Sequence, residues 1–159
     1  MRILAFDQAS NVSGFCLLEE DTIIESGLID KHKIKDSDIR IGEMGTAICK
    51  KIDESKVDLV VIEGIQNQSS TATVILLARL QGMILGYCYA HKIKTEILGP
   101  SSWRSCLKFK QGKGVKRDEL KGQAVDYIER EFLVDDIEID EAEAICIAVA
   151  ANKMFNDDI

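Results

Sequence analysis

The chain is poor in the features that mark linkers, secreted scaffolds and membrane spans. It has one proline and no serine- or glycine-rich tract, so nothing divides its 159 residues into units joined by a linker. Five cysteines, at 16, 49, 88, 106 and 146, form no C-x-x-C pair and sit mostly within apolar patterns. That distribution suits reduced core thiols in a cytosol and argues against a zinc site. No unbroken apolar run reaches the length of a membrane span. The sequence enters a strand-like pattern at once, so the expectation is a cytoplasmic protein with no secretory leader and no membrane partner. Internal repeats and low-complexity segments are missing too. Positive charge is scarce: 20 Lys and Arg stand against 27 Asp and Glu, a net charge of −7. Such a balance ordinarily speaks against a nucleic-acid partner. What is present is 46% hydrophobic residues, enough for one compact domain over residues 1–159 with a sizeable core.

Distribution qualifies the charge argument. Lys108, Lys110, Lys113, Lys116, Arg117 and Lys121 fall within fourteen residues, interleaved with Gly112 and Gly114, while many acids lie elsewhere. A charge run is commonly just a solvated face. Its meaning here depends on where the acids are.

The stretch Arg2-Ile-Leu-Ala-Phe-Asp7 is an apolar run that ends in a carboxylate and then in turn chemistry, Gln8-Ala-Ser-Asn-Val-Ser-Gly14. Val57-Asp-Leu-Val-Val-Ile62 is a second β-branched run of strand length, ending in Glu63 and Gly64. If the two are parallel neighbours, both acids emerge at the sheet edge where open α/β proteins place their chemistry. The competing reading of Asp7 is a local turn, its carboxylate bonded to its own backbone two residues on.

The other elements follow in order. Ser13–Leu18 and Thr22–Ile29, separated by the polar turn Glu19-Glu20-Asp21, make an antiparallel meander with the first strand. Ile41, Met44, Ile48 and Ile52 recur at helical spacing between Ser37 and Ser55. Ser69 to His91 reads as a long helix that is apolar on more than one face, and such a helix must be covered on both sides. In a small domain the second cover can be another subunit, with Gly82 and Gly86 permitting close approach; the competing reading is a helix that is merely central in its own domain. Thr95–Leu98 is a fifth strand, closed by Gly99-Pro100 and followed by the basic loop. Two helices, Lys116–Phe132 and Asp140–Met154, complete the chain. The order βββαβαβ followed by two helices is that of an α/β ribonuclease H-like domain: a five-stranded mixed sheet, meander first and parallel strands after, flanked by helices.

Asp140-Glu-Ala-Glu143 opens the last helix. Its two outer acids are three residues apart and project from one face of the first turn. The same spacing also describes a capping box. Two strand-end acids with nothing to pair with favour a shared site instead. Carboxylates brought together raise each other's pKa unless cations neutralise them. An all-oxygen donor set with no His/Cys cluster suits a hard cation such as Mg²⁺ or Mn²⁺. Two such ions about 4 Å apart can activate a water and stabilise the leaving oxygen of a phosphodiester.

The set Ile-Leu-Ala-Phe-Asp7-x6-Gly14, Val-Val-Ile-Glu63 and Asp140-Glu-Ala-Glu-Ala-Ile-Cys-Ile-Ala148 resembles the RuvC family of Holliday junction resolvases over nearly the whole chain. The resemblance implies a homodimer, assembled here through the Ser69–His91 helix, that cuts four-way DNA junctions by metal-dependent phosphodiester hydrolysis. It implies Asp7, Glu63 and Asp140 as ligands to two Mg²⁺ or Mn²⁺ ions, with Glu143 as the fourth where the family often has Asp; Glu141 beside it is also acidic. Lys116 occupies the place of the family's basic residue near the scissile phosphate, which implies a catalytic role in electrostatic stabilisation, with DNA positioning as the lesser reading. Arg117 and Lys121, with Lys108, Lys110 and Lys113, are then phosphate contacts. The resemblance also implies a bacterial cytoplasm, or an infected cell for a phage-encoded member.

One departure stands out. Resolvases of the family place an aromatic wedge in the loop after the glutamate strand, whereas here that loop reads Gly64-Ile-Gln66-Asn67-Gln68-Ser-Ser70. Gln66, Asn67 and Gln68 can bond to DNA but offer little surface to replace a stack worth roughly 1–3 kcal/mol per base. Broad tolerance among branched DNAs is the expectation, unless Phe109 or Ile65 does the wedging. Trp103 is expected to be packing, and His32 and His91 solvated and without partners. Three other readings share the early pattern. Actin-like ATPases have the Asp-x6-Gly hairpin but need a second lobe. Nucleases of RNA-DNA hybrids or transposases keep the acids, and a non-catalytic DNA-binding protein of this fold would have lost one or more of them.

Overall fold

The computed structural model describes residues 1–66 and 70–156. Asn67 and Gln68, expected to contact DNA, lie outside the described residues, as does Ser69 at the expected start of the long helix. Strands β1 (Arg2–Asp7), β2 (Val12–Glu19) and β3 (Thr22–Asp30) form the meander. Helix α1 (Ser37–Ser55) leads to β4 (Leu59–Glu63), and α2 (Thr71–Ala90) leads to β5 (Lys94–Leu98). Helices α3 (Pro100–Cys106), α4 (Arg117–Phe132) and α5 (Ile139–Phe155) follow. The sheet order is β3-β2-β1-β4-β5, with β1 antiparallel to β2 and parallel to β4.

Period-two alternation divides the strands between two cores. Ile3, Ala5, Cys16, Leu18, Leu59 and Val61 face α3, α4 and α5. Leu4, Phe6, Phe15, Leu17, Val60 and Ile62 face α1 and α2. Each helix on the second face has a side-chain N-cap. Asp36 accepts from the Ile39 N–H at 2.9 Å, and Ser70 accepts from the Thr73 N–H at 3.4 Å. Cys16, Cys88 and Cys146 are buried free thiols.

Three expectations need correction. Residues 100–106 form a helix rather than the start of a loop; Pro100 at its first position is preorganised for one and gives up no needed N–H. Taken as a whole, α2 is long and apolar enough to cross a membrane, although no unbroken run is. Its Leu80, Ile84 and Cys88 nevertheless belong to the core beside α1, and Arg79 pairs with Asp38 of α1 at 2.7 Å. The histidines are exposed as expected but have partners: His32 Nδ1 lies 2.5 Å from Asp30 Oδ1, and His91 stacks on Tyr87.

Candidate active site

Parallel pairing of β1 with β4 in the register Phe6↔Ile62 brings Asp7 and Glu63 out at the same edge. The first turn of α5 arrives beside them because Gly14, paired with Asp7 across β1 and β2, has no side chain. A Cβ there would sit 1.9 Å from the Asp140 carbonyl oxygen, so only glycine admits the helix this close. The result is a cluster in which one carboxylate oxygen each from Asp7, Asp140 and Glu143 lies within 4.8 Å of the others. Neither local reading of these acids holds. The N-cap of α5 is Glu138, with no side-chain capping bond, so Asp140 and Glu143 form no capping box. The N–H of Ala9, which an Asp7 turn would use, is held by Ser13 Oγ at 2.9 Å.

The two neighbouring glutamates on α5 part ways. Glu143 is buried within the cluster, while Glu141 turns to β3 and accepts from Ser26 Oγ at 2.6 Å. Burial, then the charges of Glu63, Glu143 and Asp140, hold the Asp7 carboxyl well above the usual carboxylate range. Glu63 is also pushed up, chiefly by burial, and partly brought back by the hydrogen bond it accepts from Trp103 Nε1 at 2.8 Å. The donor set is all oxygen, crowded and self-repelling, which fits a hard divalent cation.

These acids form the floor of a cleft of about 940 Å³. Its walls carry positive charge: Arg104, Arg117 and Lys121 on one side, with Arg40 at the start of α1 on the other. Gln66 also lines it. Lys116 is the exposed N-cap residue of α4 at the end of the basic loop, and does not line the cleft. Lys108, Lys110 and Lys113 are exposed on that loop. Gly112 and Gly114 give it the positive φ angles of 102° and 95° that its turns require. Gln123 of α4 pins it by exchanging two bonds with the Lys110 backbone.

Helix α3 supplies what the sequence reading left out. Trp103 is completely buried, as packing would have it, yet its indole N–H also orients Glu63. Arg104 lies 3.7 Å from Glu143 Oε1 and over the Trp103 ring at 4.9 Å, the one Lys or Arg within 4.0 Å of a site acid among the described residues. Pro100 was the signal for this helix; nothing in the spacing announced its partners. Phe109 packs edge-on between Trp103 and Tyr127, 5.7 Å from each, and is not free to act as a wedge.

No family model matches the chain, and neither does any curated protein sequence. Solved structures do. RuvC of Thermus thermophilus in complex with a Holliday junction substrate superposes with a TM-score of 0.76 at 10% identity, covering 99% of this chain and 96% of that one. The fowlpox virus resolvase, in a complex with Holliday junction DNA, gives 0.66 at 16% identity over 98% of this chain and 99% of its own. The yeast mitochondrial Holliday junction resolvase Ydc2 gives 0.62 at 14%, over 96% of this chain and 78% of its own. At such identities the likeness speaks for architecture: this chain has the ribonuclease H-like fold of RuvC and the other Holliday junction resolvases.

Proposed function

We infer that the protein is a divalent-metal-dependent endonuclease that resolves Holliday junctions and cuts other branched DNA, acting as a homodimer. The observation that carries the reading is the juxtaposition of three clustered carboxylates with a cationic wall in one cleft. Asp7, Asp140 and Glu143, with Glu63 beside them, would hold Mg²⁺, or Mn²⁺ in its place, as two ions. Bound there, the metal supplies an activated water and charge stabilisation for the departing oxygen. Trp103 keeps Glu63 facing the cluster. Arg104 holds Glu143 and would offer its guanidinium to a phosphate bound at the acids. Arg117 and Lys121 line the path of the flanking phosphates, with Lys116 and the other loop lysines further out. Such contacts position DNA without reading its sequence. The dimer reading rests on the uncovered apolar face of α2, where Ile75 is 47% and Tyr89 67% exposed.

The test is incubation of a labelled four-way junction with and without Mg²⁺, mapping cuts on all strands, beside forks, flaps, three-way junctions and an RNA-DNA hybrid. Paired, metal-dependent cuts in the branched DNAs are expected, with weak dependence on core sequence. Cleavage of the hybrid alone would assign a different nuclease, and cutting confined to one junction sequence would show that the polar loop discriminates. Replacing Arg104 by Ala is expected to lower turnover about 10²–10³-fold, the loss typical of a donor to developing charge. Lys116→Ala should show the smaller loss.

A further inference from the structure

Gln8 follows Asp7 in the chain, is buried, and has its side chain on a different strand's backbone. Its Nε2 donates to the Glu63 carbonyl oxygen at 2.6 Å, and its Oε1 accepts from the Glu63 N–H at 3.0 Å. The β1–β4 register ends at Phe6↔Ile62, where β1 turns away into the loop to β2. Glu63 would then present both its main-chain groups to a gap. The primary amide of Gln8, with one donor and one acceptor side by side, fills it as an additional rung of the ladder. On the other edge Glu63 stays paired with Leu98 of β5, and the Gly64 N–H donates to the Leu98 carbonyl at 3.0 Å.

We propose that Gln8 is a positioning residue: its amide locks the Glu63 backbone to the residue next to Asp7 and so fixes two site acids, from two strands, relative to each other. The inference rests on the metal-site reading given above. Without the clamp, Glu63 keeps its Trp103 bond, but its main chain is tied only to β5, and the separation from Asp7 is no longer set. Gln8→Met keeps length and apolar volume and removes both bonds. Gln8→Asn keeps the amide but is one methylene short of spanning to Glu63.

Three measurements on the full chain test this. In the parent, the Glu63 amide proton should exchange slowly by NMR and speed up in both variants; rapid exchange in the parent overturns the clamp outright. Mn²⁺ affinity by calorimetry should fall about 10–100-fold in both variants, as is usual when a support of a metal ligand is removed. Junction affinity in chelator should stay at the parental value, because the phosphate-binding wall is untouched. A folded Gln8→Met protein that binds Mn²⁺ as tightly as the parent, or full rescue by Gln8→Asn, overturns the positioning role. If Gln8→Met does not fold, Gln8→Asn carries the comparison. Should the parent itself bind no Mn²⁺, the metal-site reading fails, and the positioning role fails with it; slow exchange at Glu63 would then establish the rung alone.

Discussion

Helices α2 and α5 are apolar on every side, yet the fold treats them differently. In α5 every residue from Ala142 to Asn152 is buried, because β1 and β2 lie on one side and α3 and α4 on the others. In α2 only Leu80, Ile84 and Cys88 are buried, on the side toward the sheet and α1. The opposite stripe, Ile75, Ala78, Gly82, Gly86 and Tyr89, is exposed, and a Cβ on either glycine would meet nothing within 4 Å among the described residues. A helix apolar all round calls for cover all round. In α5 the chain supplies it from its own helices and strands. In α2 one face stays open, and in the homodimer proposed above a second copy with Gly82 and Gly86 at the crossing would cover it.

The comparison breaks most visibly with one charge placed on each helix. Ala148→Asp buries a lone carboxylate in α5 and should cost about 3–5 kcal/mol, enough to lose most of the folded protein in a urea titration. Ala78→Asp on the open stripe of α2 should leave the monomer's stability within about 0.5 kcal/mol. Equal destabilisation would mean that the stripe is covered within the chain.

The first turn of α5 should behave unlike the rest of it. Asp140→Asn leaves the buried surface intact, so in chelator the melting temperature should be no lower than the parent's, while cleavage with Mg²⁺ is lost and junction binding persists. A variant that cuts at the parental rate would remove Asp140 from the site. On α2, Ile75→Arg should convert dimer to monomer by sedimentation and turn paired incisions into single nicks. A dimer that survives would move the interface elsewhere.

The smallest effect concerns the charge crowded at the α5 terminus. Asp7 binds its proton more tightly in the folded chain than in the unfolded one, so its contribution to stability falls as pH rises above the ordinary carboxylate range. In chelator at neutral pH, Asp7→Asn should therefore melt a few degrees above the parent, and the advantage should shrink on acidification. Excess Mg²⁺ should reverse the order, because only the parent keeps its full ligand set. Melting temperatures that do not respond to pH or metal would mean that the acids do not repel.

Much of this was legible in the sequence. Apolar runs, turn residues and helical spacing marked nine of the ten elements among the described residues, α1 to the residue, since each must bury apolar surface. The exception, α3, spans seven residues, too short for periodicity to register, and only Pro100 hinted at it. The acids were legible because Asp7 and Glu63 each close an apolar strand and Asp140 and Glu143 open an apolar helix. Their companions were not: Trp103 meets Glu63 across forty residues, and Arg104 meets Glu143 across thirty-nine, with no pattern connecting them.

The strand and helix faces, the strand-end acids and the excess apolarity of α2 are written in the order of residues, because periodicity and composition are properties of local chain. Which glutamate of α5 enters the cluster, that an arginine rather than Lys116 stands beside it, and that Gln8 serves as a rung of the sheet emerge only on folding. Those outcomes depend on which side chains the packing of α3 and α5 against the strands brings within reach, and packing between distant segments leaves no trace in residue spacing.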